Sequence, residues 1–114
     1  MKTGFWVREF PAAVTVCDLR GKALEMNRRS EETFAAYGGA KLLGTNLLDC
    51  HPAAARRKMK RLLSSGRSNV YTISKKGCKK IILQLPWYRQ GRQAGLVEIS
   101  APLPRRVPHF IRKG

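Results

Sequence analysis

The chain has 114 residues, 43% of them hydrophobic, and a formal net charge of +16. That length suits one domain with a single modest core, and the apolar content argues against an intrinsically disordered chain. No apolar run approaches the roughly 20 residues of a membrane-spanning helix. Residues 1–9, MKTGFWVRE, lack the sustained apolar stretch and small-residue cleavage site of a secretory signal, so the expected address is the cytoplasm.

Cys17, Cys50 and Cys78 are widely spaced, with no Cys-x-x-Cys pair. This suits reduced thiols rather than a disulfide framework or a zinc site. The charge is placed unevenly. Residues 1–49 hold seven Lys/Arg against six Asp/Glu, and residues 50–114 hold sixteen against one. A field so one-sided attracts polyanions and hastens encounter with acidic partners, without choosing between them.

In chain order, residues 13–17 alternate Val14 and Val16 with smaller or more polar neighbours, which predicts a strand. Asp18-Leu19-Arg20-Gly21 supplies turn chemistry, and residues 23–26 return as a second strand. Asn27 or Ser30 is placed to cap a helix whose first turn carries Glu31 and Glu32. Phe34, Ala35 and Tyr37 are expected on its buried side, with Gly38-Gly39 ending it. A further helical turn over 40–43 stops at Gly44, and the leucines of 45–49 should anchor in the core.

Pro52 suits the first turn of a helix running to about residue 64 and ending at Gly66. Ala55, Met59, Leu62 and Leu63 share one face of it. Arg56, Arg57, Lys60 and Arg61 share the other, with Lys58 nearby and no carboxylate within a turn. Like charges at four-residue spacing repel by a few tenths of a kcal/mol per pair. That face reads either as a solvated surface or as a contact surface for an acidic protein or nucleic acid.

Residues 69–74, 79–88 and 93–101 predict three strands in a meander, turning at Lys75-Lys76-Gly77 and Arg89-Gln90-Gly91-Arg92. Ile81-Ile82-Leu83-Gln84-Leu85 is apolar enough to be central. Pro86 implies an edge position or a bulge. Strand parity separates Ile81, Leu83 and Leu85 from Ile82 and Gln84 without saying which set points inward. Pro102, Pro104 and Pro108 make the tail extended, and its Phe110-Ile111 pair is available to dock on this molecule or on a neighbour.

Catalytic patterns are missing: the carboxylates are scattered, there is no nucleophile elbow, and Gly38-Gly39…Gly44 lacks the lysine of a phosphate loop. The expectation is a protein that is not an enzyme. Cys50-His51 is the one pair with sharp ligand potential, either as a structural pair, as a haem or metal ligand, or as a redox thiol.

The order of two strands, short helices and three strands resembles the PAS sensor family. So does the local wording Asp18…Gly21…Asn27, Phe34…Tyr37-Gly38 and Leu43-Gly44…Asn46-Leu47-Leu48-Asp49…His51-Pro52. The resemblance covers roughly residues 10–103. It divides the chain into an N-terminal segment (1–10), a PAS domain (11–103) and a basic tail (104–114). It implies an α+β fold, a five-stranded antiparallel sheet with short helices packed on one face.

The resemblance also implies a sensory or protein-interaction module in signal transduction, working as a homodimer with a small ligand between sheet and helices. Candidate cavity residues are Phe34, Tyr37, Cys50, His51, Met59, Tyr71, Gln84 and Trp87. Phe5, Trp6 and Phe10 are expected to cover the sheet and join a two-fold interface. Some relatives hold haem through a histidine in the helical region, which makes His51 the haem candidate. The flavin-binding branch carries an Asn-Cys-Arg-Phe-Leu-like motif that is absent here, so flavin is not expected. An acidic protein, a signalling kinase or regulator are the expected partners, and nucleic acid is the competing one.

Overall fold

The computed structural model describes residues 4–114. The first hairpin forms where alternation and turn chemistry place it, with β1 (Ala13–Asp18) antiparallel to β2 (Ala23–Met26). Asp18 Oδ1 accepts from the backbone N–H groups of Arg20 and Lys22, both at 2.9 Å. Gly21 takes a φ of 91°, in the left-handed region open to glycine. A side chain there would also meet Asn46 Oδ1 at 2.8 Å, so the turn needs glycine for space as well.

Asn27 closes β2 and opens α1 (Arg28–Thr33), accepting from Ser30 N–H as the helix cap. The helix stops sooner than its sequence suggests. Phe34 leaves the helical conformation and a separate 3-10 turn, Ala35–Tyr37, follows. As a result only Phe34 turns partly inward, while Ala35 and Tyr37 are exposed. Two more 3-10 turns, Gly39–Leu42 and Leu47–Cys50, bury Leu42 and Leu47. Asn46 ties this segment to the hairpin, donating to Arg20 O at 3.0 Å while accepting from Leu48 N–H.

Helix α2 (Ala53–Ser65) starts after Pro52 and ends at Gly66, which takes a φ of 69°. Met59, Leu62 and Leu63 are its buried residues, as their spacing predicts. They join Cys17, Ala23, Met26, Leu42, Leu47 and Leu96 in one core cluster.

β3 (Asn69–Lys75), β4 (Cys78–Arg89) and β5 (Arg92–Leu103) complete a single sheet in the order β2-β1-β5-β4-β3. The fold is the PAS-like α+β arrangement. β3 pairs with β4 only from Cys78 to Gln84, so Pro86 lies beyond its reach, where a missing N–H breaks no ladder on that side. Two residues later, between Trp87 and Tyr88, the register with β5 shifts. Opposite Trp87, Gly95 has no room for a side chain, because a Cβ there would lie 1.8 Å from Cys17 O.

The N-terminal segment departs from its expected role of covering the sheet. It forms successive turns rather than a helix, and Val7 is its buried residue. Phe5, Trp6 and Phe10 are 64%, 59% and 40% exposed. Trp6 and Phe10 meet each other edge-on at 5.4 Å. Their spacing brings the rings together, but the backbone is held at the β2–α1 corner by other groups. Asn27 Nδ2 donates to Val7 O at 3.0 Å, Arg28 N–H donates to Arg8 O, and Arg8 pairs with Glu31 at 2.8 Å.

Asn27, 1% exposed, makes four hydrogen bonds: Oδ1 accepts from Val14 and Ser30 N–H, and Nδ2 donates to Val7 O and Ala12 O. Replacing it with alanine strips partners from buried backbone groups, each costing about 1–3 kcal/mol. We expect Asn27→Ala to lower unfolding free energy by about 3–5 kcal/mol, read from the urea midpoint. Arg8→Ala, which breaks an exposed ion pair, should cost no more than about 1 kcal/mol. Equal losses for the two would show that the amide is not the anchor.

Candidate functional site

Strand parity and register decide which residues face the helices. Thr15, Glu98, Gln84 and Asn69 lie opposite one another across β1, β5, β4 and β3. Side chains paired across strands share a face. That face and the helical segment line a half-open cavity of about 510 Å³. Cys17 and Leu96 line it from the sheet, and Phe34, Leu47, Ala54, Ala55 and Met59 line it from the helical side.

Across this apolar lining runs one polar row. Asn69 Nδ2 donates to Gln84 Oε1 at 2.7 Å, and Gln84 Nε2 donates to Glu98 Oε2 at 2.8 Å. A second polar pair, Thr15 and Ser30, is hydrogen-bonded to itself and buried. Tyr71 stands on the same face, and its phenol is held above the usual range by burial and then by the Glu98 charge. It therefore remains a neutral hydroxyl at physiological pH.

His51 and Lys58 also border the cavity. Leu47 O can only accept, so in the 2.6 Å contact His51 Nδ1 is the donor. No group of three or more His, Cys, Asp or Glu is arranged for a metal among the described residues. Burial pushes the Cys17 thiol up to about 11, against a smaller opposing pull from its backbone hydrogen bond to Leu96. Cys17 therefore stays a thiol and is a poor metal ligand near neutrality.

Of the expected cavity residues, Phe34, Cys50, His51, Met59, Tyr71 and Gln84 come together here. Tyr37 and Trp87 do not. Tyr37 is 62% exposed because the chain leaves α1 before reaching it. Trp87 is an odd number of residues from Gln84, so it lies on the other face, where its Nε1 donates to Cys17 O at 2.9 Å. Sequence reasoning overlooked Thr15, Asn69 and Glu98. Glu98 carried a signal all the same, as the one carboxylate of residues 50–114, set between Val97 and Ile99.

On the outer surface of α2, Arg56, Arg57, Lys60 and Arg61 are all exposed. The ion pairs among the described residues are Arg8–Glu31 and Arg28–Glu9, so none of these four is neutralised by one. A shallower groove at the end of α2 adds Arg67 beside Lys58 and Arg61, with Ser64, Ser65 and Ser68 between them.

The shifted Cys17 thiol makes stability depend on pH. A free thiol ionises near 9.0 and the folded one near 11, so the stabilisation is complete below pH 9 and is lost as pH rises towards 11. Cys17→Ala should flatten that decline in urea midpoints measured from pH 8 to pH 11. An unchanged slope would assign it to other groups.

No family model matches the chain, and no curated protein matches it. Solved structures do match. The sensor region of a sensor histidine kinase aligns at a TM-score of 0.59 and 17% identity, covering 79% of this chain and 38% of that one. The chain thus spans well under half of that protein's resolved length. The PAS domain of BvgS from Bordetella pertussis aligns at 0.62 and 18% identity, covering 88% and 82%. VqmA of Vibrio cholerae, described as a dimer with a DNA target, aligns at 0.65 and 15% identity, covering 95% and 55%. VqmA bound to DPO aligns at 0.64 and 14% identity, covering 86% and 54%. At these identities the likeness concerns architecture alone, and this chain has a PAS-like fold.

Proposed function

We propose that the chain is a sensory module that binds a small molecule between its sheet and helices and signals through protein contacts, not an enzyme. The observation that carries this reading is the cavity itself. An apolar space of about 510 Å³ crossed by one ordered polar row is the build of a small-molecule site, which is mostly apolar with a few placed polar groups. VqmA, of like fold, has been solved with DPO bound, which supports the reading without naming a ligand here. Pairing into a homodimer fits the exposed aromatic residues Phe5, Trp6 and Phe10 of the N-terminal segment. No helix among the described residues is long and apolar enough to cross a membrane.

Benzyl alcohol, small, neutral and amphipathic, is a suitable probe. We expect titration to shift the backbone amide resonances of Ala54, Ala55, Leu96 and Tyr71, and Ala55→Trp, which fills the cavity, to abolish the shifts while the remaining spectrum persists. A wild-type protein indifferent to the probe at millimolar concentration would overturn the reading.

A second reading, contact with a polyanion, is favoured by the un-neutralised face of α2. Arg57→Gln with Arg61→Gln removes charge at little cost in helix propensity. Binding to a single-stranded oligonucleotide or an acidic peptide should weaken several-fold, and the slope of log affinity against log salt should become shallower. Identical affinities and slopes would mean that the face is merely solvated.

A further inference from the structure

Resting on that reading of the cavity, we infer that its ligand is a small, largely apolar molecule bearing a protonated nitrogen, received by the Glu98 carboxylate. The charge distribution makes this residue unusual. Residues 50–114 carry sixteen cationic side chains and one carboxylate, and the fold puts that carboxylate on β5, facing the cavity. Glu98 is half-buried, and the oxygen that Gln84 does not hold is open to solvent and to an incoming ligand. Lys58 lines the same cavity, so a cation is at hand in the lining. Yet no cationic side chain pairs with Glu98 among the described residues, Lys58 included.

The neighbours orient Glu98 rather than neutralise it. Gln84 gives its N–H to one carboxylate oxygen and turns its own carbonyl to Asn69, so the amide cannot flip without losing both bonds. The other oxygen, Oε1, receives no hydrogen bond from the described residues. A neutral donor could occupy it, but a cation gains a charge-assisted bond roughly twice as strong. The molecule's overall field works the other way. A net charge of +16 repels cations and draws anions, so a preference for a cationic ligand would have to come from the cavity.

Three probes of one shape separate these influences: benzylamine, benzyl alcohol and benzoate, titrated at 0.15 M salt, where screening acts beyond about 8 Å. Benzylamine should bind about tenfold more tightly than benzyl alcohol, with benzoate weakest, each followed at the amides of Gln84, Leu96 and Glu98. Glu98→Gln preserves shape and removes the charge, so the advantage of benzylamine over benzyl alcohol should disappear. Benzoate matching or exceeding benzylamine in the wild-type protein overturns the inference whatever the variant does, and so does a benzylamine preference that survives the substitution. In either case, binding of benzyl alcohol leaves the cavity reading intact. Failure of all three probes overturns both.

Discussion

Four hydrogen bonds converge on the side chain of Asn27, and the N-terminal half of the fold is organised around them. One amide holds the start of β1, the end of β2, the first turn of α1 and the segment before the sheet. Its acceptor takes N–H groups from a strand and a helix, while its donors take carbonyls from the entering chain. No hydrophobic residue of similar volume does this, because each backbone group would then be buried without a partner. The N-terminal aromatics stay exposed for the same reason: Val7 and Arg8, held at this corner, set the path of the chain.

From the corner, the sheet register carries placement outward. β1 at Thr15 meets β5 at Glu98, which meets β4 at Gln84, which meets β3 at Asn69. Each pairing brings the next side chain to the same face and the same level. The polar row is thus a product of antiparallel register, assembled from one residue on each of the three consecutive strands β3, β4 and β5, with Thr15 at the same level on β1. Gly95 assists by letting Trp87 and the Cys17 carbonyl approach on the far side.

Much of this was legible in the residues. The hairpin showed in its Val alternation and in Asp18…Gly21, α2 in the spacing of Met59, Leu62 and Leu63, and the meander in its glycine turns. Faces were harder. A period of two sorts a strand into two sets but leaves their direction to the partner strands, so Gln84 and Trp87 were grouped when they point opposite ways. Tyr37 was misplaced because the end of α1 is decided by tertiary packing around Phe34 rather than by propensity. Thr15, Asn69 and Glu98 are hard to find in the sequence because a lone polar residue on a strand looks like the solvent side until the register sets it beside its partners.

The attachments around the cavity are unequal in kind. On the sheet side, Asn27, the strand ladders and the Asn69–Gln84–Glu98 row fix atoms by directional bonds that break if they slide. On the helical side, α2 holds to the sheet through Met59, Leu62 and Leu63, with a long 3.4 Å bond from Gln93 to Leu62 O. Apolar contacts tolerate slippage and directional ones do not. The domain is therefore mechanically lopsided, a stiff floor beneath a compliant roof. An occupant too large for the space would displace α2, and with it the arginines on its back, while leaving the sheet in register.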